Sequence, residues 1–142
     1  MRLTIKTIKY FIITALLFNL SACIKSKPDQ ASYKVKGKVY TTLKSAKGYK
    51  ARGLASTYSK RLHNRKTSNG ERYNMHAMTA AHTTLPFNTR LRVKNLKNGR
   101  TVVVRINDRG PFYSMRIIDL SYAAASRLGI TSVSMVEIEA LN

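Results

Sequence analysis

A mainly β, small-barrel fold is predicted by three features: several short apolar runs rich in β-branched residues, Gly and Asn turns between them, and one convincing helical segment. The 142 residues leave room for one domain, and 44% hydrophobic residues suffice for an ordinary core. No internal repeat is visible, and the only biased tract is a lysine-rich stretch near the start.

Arg2, Lys6 and Lys9 precede an apolar run from Tyr10 to Leu20, too short for a membrane span of about 20 residues. Residues 1–22 therefore read as a secretory signal peptide. Its end, Leu20-Ser21-Ala22-Cys23, resembles a bacterial lipobox, which implies that Cys23 is diacylated, the leader cleaved and the new amino terminus acylated. As the only cysteine, Cys23 permits no intrachain disulfide and is expected to be a lipid anchor. Several acyl chains hold a protein on a membrane far more firmly than one. Ile24 stands where an Asp would retain a lipoprotein in the inner membrane. In a Gram-negative host the expected location is thus the outer membrane, facing the periplasm.

The net charge is +20, or +17 without Arg2, Lys6 and Lys9. Such a surface seeks anions. Export removes nucleic acid as the natural partner and leaves lipid head groups, lipopolysaccharide phosphates and cell-wall carboxylates. Charge of this kind gives location, not chemistry.

Residues 23–50, with many lysines and Pro28, suit a solvated tether. Within it Tyr33, Val35, Gly37 and Val39 alternate with Lys34, Lys36 and Lys38, the pattern of a short edge strand guarded by lysines. The barrel domain is assigned to residues 51–142, its folded part beginning near Gly53. Gly53 to Tyr58 is a small-residue strand. Ser59 to Met75 is a long polar connection carrying His63, Asn69-Gly70 and Glu71, and ordered loops of that length are often functional. Thr79 to Pro86 is a run of small residues stopped by proline. Leu91 and Val93 alternate with Arg90, Arg92 and Lys94, and Asn98-Gly99 is a hairpin signal leading into Val102 to Ile106. Asn107, Asp108, Gly110 and Pro111 make a turn before Ile117-Ile118. Ser121 caps a helix from Tyr122 to Leu128, stopped by Gly129. Val136, Ile138 and Ala140 alternate with Glu137 and Glu139 in a final half-buried strand.

The six acidic residues sort by elimination. Asp29 lies in the tether, and Glu137 and Glu139 fall on the solvent side of the last strand. Asp119, just before the helix, is expected to bind backbone amides at the helix start. Glu71 and Asp108 remain. Glycosidic cleavage needs a group that protonates the leaving oxygen, commonly assisted by a second carboxylate. A free carboxyl is only about one part in a thousand protonated near pH 7, so an acid catalyst needs burial or a like charge to raise it. Arg105, Arg109 and Arg116 act the other way, and Phe112 and Tyr113 would have to outweigh them.

His63, His76 and His82 match no compact metal-ligand spacing, so neither metal nor cofactor is expected. His82 either hydrogen-bonds a carboxylate or saccharide, or braces the fold. Ser56, Ser59 and Ser68 lack a nucleophile-elbow pattern. Tyr58, Tyr73, Phe112 and Tyr113 flank the loops as a sugar-stacking platform or as core packing.

Together Gly53-Leu54-Ala55-Ser56-Thr57-Tyr58, Thr67-Ser68-Asn69-Gly70-Glu71-Arg72-Tyr73, Met78-Thr79-Ala80-Ala81-His82, Leu85-Pro86-Phe87, Asn107-Asp108-Arg109-Gly110-Pro111-Phe112 and Arg116-Ile117-Ile118-Asp119-Leu120-Ser121 closely resemble the rare lipoprotein A family. The resemblance, running from about Gly53 to Leu141, implies a six-stranded double-psi β-barrel with one or two short helices, related to barwin and expansin barrels. It also implies an endolytic lytic transglycosylase. Such an enzyme cuts the bond from N-acetylmuramic acid to N-acetylglucosamine in peptidoglycan glycan strands, preferably those free of stem peptides, and leaves 1,6-anhydro ends. Carried over by position, the family's essential acids fall on Asp108 and Glu71 and its supporting histidine on His82. Asp108 is the expected general acid and Glu71 its partner, with Arg109, Tyr73 and Phe112 expected to bind substrate. Asn88 stands where relatives often have Gly, and Asn is the next-best residue for a left-handed turn. The alternatives are a non-catalytic, expansin-like glycan-binding lipoprotein and a basic envelope protein that bridges anionic polymers.

Overall fold

The computed structural model describes residues 31–113 and 115–141. The leader, Cys23 and Asp29 lie outside the described residues. Among the described residues there are eight strands: β1 (Ser32–Val35), β2 (Lys38–Thr41), β3 (Lys50–Thr57), β4 (Thr79–Ala81), β5 (Arg90–Asn95), β6 (Thr101–Asp108), β7 (Arg116–Leu120) and β8 (Val133–Ala140). One α-helix, α1 (Tyr122–Leu128), and a 3₁₀ turn at Lys60–Leu62 complete the elements.

Six strands close into a barrel in the order β3-β7-β4-β6-β5-β8, with β8 returning to β3. The expected six-stranded double-psi barrel is therefore the fold. The pairs β3/β7 and β4/β6 are parallel and the rest antiparallel. Parallel neighbours cannot be joined by a tight hairpin, so the chain crosses over. Accordingly the Asn107–Pro111 segment is not a hairpin turn between partners. β4 lies between β6 and β7, pairing parallel with the first and antiparallel with the second.

Strand alternation fills the barrel. β5 buries Leu91, Val93 and Asn95 and exposes Arg90, Arg92 and Lys94. Val104, Ile106, Ile118, Leu120, Val136 and Ile138 meet them in the core. The opposite face of β8 carries Glu137 and Glu139, ion-paired to Arg52 at 2.6 Å and to Lys50 at 2.8 Å. These pairs are exposed and screened, so they fix register more than they add stability. Gly53 permits close contact between β3 and β7: a Cβ there would lie 2.6 Å from Ile117 Cγ2. The expected hairpin between β5 and β6 forms, with Gly99 at φ 75°, and Asn88 takes the left-handed turn at φ 66°.

Two differences bear on the site. The alternation at residues 33–39 is broken by Lys36 and Gly37, both at positive φ, so the predicted single edge strand is a two-stranded hairpin. The chain after it already packs on the core through Leu43, Ala46 and Tyr49, and the first barrel strand starts at Lys50 rather than Gly53. Secondly, Asp119 does not cap the helix. Ser121 does, its Oγ accepting from the Ala124 amide at 3.2 Å. With a serine already at the N-cap position, Asp119 is left on β7, facing β3.

Candidate active site

Asp108 is the last residue of β6. A register shift between Ala80 and Ala81 sets Ala81 opposite Asp108, and such bulges re-aim side chains at barrel rims. Gly110, at φ 133°, turns the chain away immediately afterwards, a conformation that favours glycine. Asp108 accepts four hydrogen bonds. Tyr58 Oη donates to Oδ2 at 2.6 Å, while the Ser68 amide at 2.9 Å, Ser68 Oγ at 2.7 Å and the Arg109 amide at 2.8 Å donate to Oδ1. Burial, and secondly the bond to Asp108, push the Tyr58 phenol well above its ordinary value, so it remains a donor.

Ser68 comes from the long polar connection after β3. That loop folds on itself through the Thr67 amide to Glu71 O at 2.8 Å and is tied to β6 by the Asn69 amide to Asn107 O at 3.3 Å. The loop also brings in Glu71, but not against Asp108. Arg105 clasps Glu71 in a two-pronged pair, with both N···O distances 2.8 Å, and Asn107 Nδ2 donates to it at 3.1 Å. Those donors, Arg105 first, hold the Glu71 carboxyl down to about 2.

His82 is 3% exposed. Its Nδ1 accepts from the Thr84 and Leu85 amides at 3.2 and 3.1 Å. The ring proton therefore sits on Nε2 and is donated to Tyr49 Oη at 3.2 Å. Burial, and secondly the nearby Arg109 cation, hold its pKa down to about 4, so His82 is neutral near pH 7. It reaches the site through its backbone: its amide donates to Asp108 O at 3.2 Å, and its carbonyl accepts from Arg109 Nη1 at 3.1 Å.

Arg109 Nη1 also donates to Leu85 O at 2.7 Å, and its guanidinium lies 3.8 Å from the Phe87 ring centre. Phe112 is half-buried beside it. Tyr73 is 5% exposed, packs on Tyr58 at 5.2 Å between ring centres, and accepts from the Tyr122 amide. It is a wall behind the site rather than a surface platform.

Asp119 was not expected here. Ser56 Oγ donates to its Oδ1 at 2.6 Å, and Arg116 reaches its Oδ2 only at 3.5 Å. Burial raises the Asp119 pKa against the lowering pull of Ser56 and Arg116, and nearby Asp108 adds to the rise. Asp108 and Asp119 line one cavity of about 10 Å³ with Tyr58. On one side of Tyr58 Asp108 borders a recess of about 90 Å³, and on the other Asp119 borders an open cleft of about 270 Å³. The sequence signal for Asp119 is its place between Ile118 and Leu120 near the end of a strand. Ser56 and Ser68, set aside for want of a nucleophile pattern, instead orient the carboxyl groups. His63 and His76 lie 6.0 Å apart between ring centres, with no third metal-ligating side chain gathered to them among the described residues.

Comparison with known proteins fits this barrel. A model of the family described as lytic transglycolase matches residues 50–140. The endolytic peptidoglycan transglycosylase RlpA of Pseudomonas aeruginosa is 47% identical over 121 residues, covering 84% of this chain and 34% of that protein. The protein of the same name from Neisseria meningitidis serogroup B is 48% identical over 143 residues, covering 93% and 59%. The chain thus spans about a third to three fifths of the length of these relatives. Among solved structures, an expansin of Clavibacter michiganensis superposes with a TM-score of 0.54 at 21% identity, over 66% of this chain and 51% of that one. A Streptomyces papain inhibitor gives 0.52 at 21%, over 67% and 96%. These two likenesses show the barrel alone. The family match across every barrel strand, on a closed barrel of the expected topology, establishes that the chain belongs to the lytic transglycolase family of double-psi β-barrels, with RlpA proteins as its relatives.

Proposed function

We propose that this chain is an endolytic peptidoglycan lytic transglycosylase. It cuts the bond from N-acetylmuramic acid to N-acetylglucosamine, preferring glycan strands free of stem peptides, and leaves 1,6-anhydro ends. The observation that carries the reading is that Asp108 and Asp119, in opposite chemical settings, meet at a water-sized space beside Tyr58, with a recess bordered by the one and an open cleft bordered by the other. Asp108 is gripped by four donors, which fix the orientation of its carboxyl group toward the site. Asp119 is a buried carboxyl whose pKa is raised, the property wanted in a proton donor.

In this division of labour the muramic 6-hydroxyl attacks its own anomeric carbon, and its proton passes to Asp108. The bond to the leaving O4 breaks as that oxygen takes the Asp119 proton. The proton then returns from Asp108 to Asp119, and no water enters the product. A nucleophile within the same sugar supplies the high effective concentration that oriented groups provide. The sequence expectation made Asp108 the acid. Moving that role to Asp119 follows from the donors around the one and the burial of the other.

Glu71 and His82 act as positioning residues. Glu71 holds Arg105 and Asn107 toward the end of β6, and His82 orders the turn whose carbonyls hold the Arg109 side chain. Cleavage of the leader and acylation of Cys23 place the domain on the outer membrane facing the periplasm. There its +17 charge favours the anionic wall.

The alternative is a glycan-binding barrel that does not cut, for which the aromatic side chains around the site would suffice. Incubating the full chain with peptide-free and with peptide-bearing sacculi separates the two. Release of soluble glycan, faster from the peptide-free material, is the expected result. Sedimentation of the protein with glycan, without any new chain ends at any enzyme concentration, would instead establish the binder.

A further inference from the structure

The hairpin β1/β2 lies outside both the barrel and the residues that the family model matches, yet it is fastened beside the site. Tyr33 Oη donates to Thr83 O at 2.7 Å, next in chain to His82. Tyr33 and Tyr40 stack with ring centres 5.4 Å apart, and Phe112 meets them edge-on at 6.3 and 5.5 Å. Between hairpin and barrel runs a cleft of about 440 Å³, walled by Tyr33, Val35, Phe87 and Phe112, with Arg109 and Ser68 at its polar edge. That volume is in the range of small-molecule sites.

The cleft shares side chains with the site on two sides. Ser68 is a donor to Asp108, and Arg109 and Phe112 also wall the cleft that ends on Asp119. Arg109 spends only Nη1 on the protein, among the described residues. Its Nε and Nη2 are left for another acceptor, while Phe87 stacks on the guanidinium plane. Aromatic faces with one guanidinium fork match a sugar that carries a carboxylate. A muramic residue without its stem peptide exposes such a group on its lactyl arm, and amide-linked peptide removes it.

Resting on the transglycosylase reading, we propose that the cleft between the β1/β2 hairpin and the barrel is a second glycan subsite, which holds a muramic residue neighbouring the cut bond through its apolar face and its free lactyl carboxylate. The hairpin then lengthens the bound stretch of glycan, and Arg109 gives preference for peptide-free strands a physical cause.

The test uses the full chain, purified peptide-free glycan strands, and the same strands with their lactyl carboxyls converted to primary amides. Amidation is expected to raise KM about tenfold, as is Tyr33→Ala. Tyr33→Phe keeps the ring, loses only the bond to Thr83, and should stay within about twofold of the native KM. Rescue by phenylalanine separates stacking from simple anchoring of the hairpin. Native KM values for both the amidated strands and Tyr33→Ala, with the native chain still cutting, would overturn the subsite and leave the transglycosylase reading standing. A native chain that neither binds nor cuts the strands would remove both.

Discussion

Asp108→Asn is expected to lower the release of anhydro-ended fragments by about a thousandfold, the scale on which positioned acid–base groups act. Every hydrogen bond to Asp108 comes from a donor. An asparagine offers one acceptor oxygen and turns an NH₂ group toward either Tyr58 or the Ser68–Arg109 donors. Stability should therefore fall by only about 1 kcal/mol, because the Ser68 contacts are exposed and can turn to water, and the barrel, held by a core remote from this rim, should remain folded. Fragment release and thermal unfolding on the same sample give both quantities. A variant cutting within a few fold of the native rate would remove Asp108 from the reaction.

Asp119→Asn separates stability from activity in a different way. Turnover should drop by about a hundredfold or more if Asp119 supplies the leaving-group proton. Its folded pKa is raised above the ordinary 3.8, so the folded state binds its proton more tightly than the unfolded chain does. The associated stability is fully present below about pH 3.8 and is lost as pH rises through the folded value. Above the raised folded value the native protein carries the cost of an ionised buried carboxyl, and the amide does not. The variant should therefore gain in Tm relative to native as pH rises, with no such gain in acid. Native activity should likewise fall as pH rises through the raised value. A variant that loses Tm progressively with rising pH, or that cuts at the native rate, would return Asp119 to a structural role.

Much of the fold was legible because the barrel strands alternate on one buried face. Leu91 and Val93, Val104 and Ile106, and Val136 and Ile138 lie where period-two reading puts them. Pairing was not legible. Ile106 and Ile118 flank a turn-rich segment that reads like a hairpin, yet β4 lies between their strands, because closure of parallel pairs is decided by contacts distant in sequence. Asp108 could be reached by elimination and by resemblance. The partnership of Glu71 with Arg105 could not, since it depends on a loop folding back across β6. The role of Asp119 is not legible for a local reason: two capping candidates stand before one helix, and Ser121 takes the position. The hairpin at Lys36-Gly37 was visible only in the glycine, which interrupts an otherwise even alternation.

In the proposed chemistry two carboxyl groups, Asp108 and Asp119, break a glycosidic bond without water. Digestion of peptide-free glycan in water enriched in heavy oxygen tests it most directly, with the fragments weighed afterwards. The expected fragments end one water lighter than hydrolysis products and carry no heavy oxygen at the new muramic termini. Reducing ends that have taken up the label would make the domain a hydrolase and contradict the proposed chemistry.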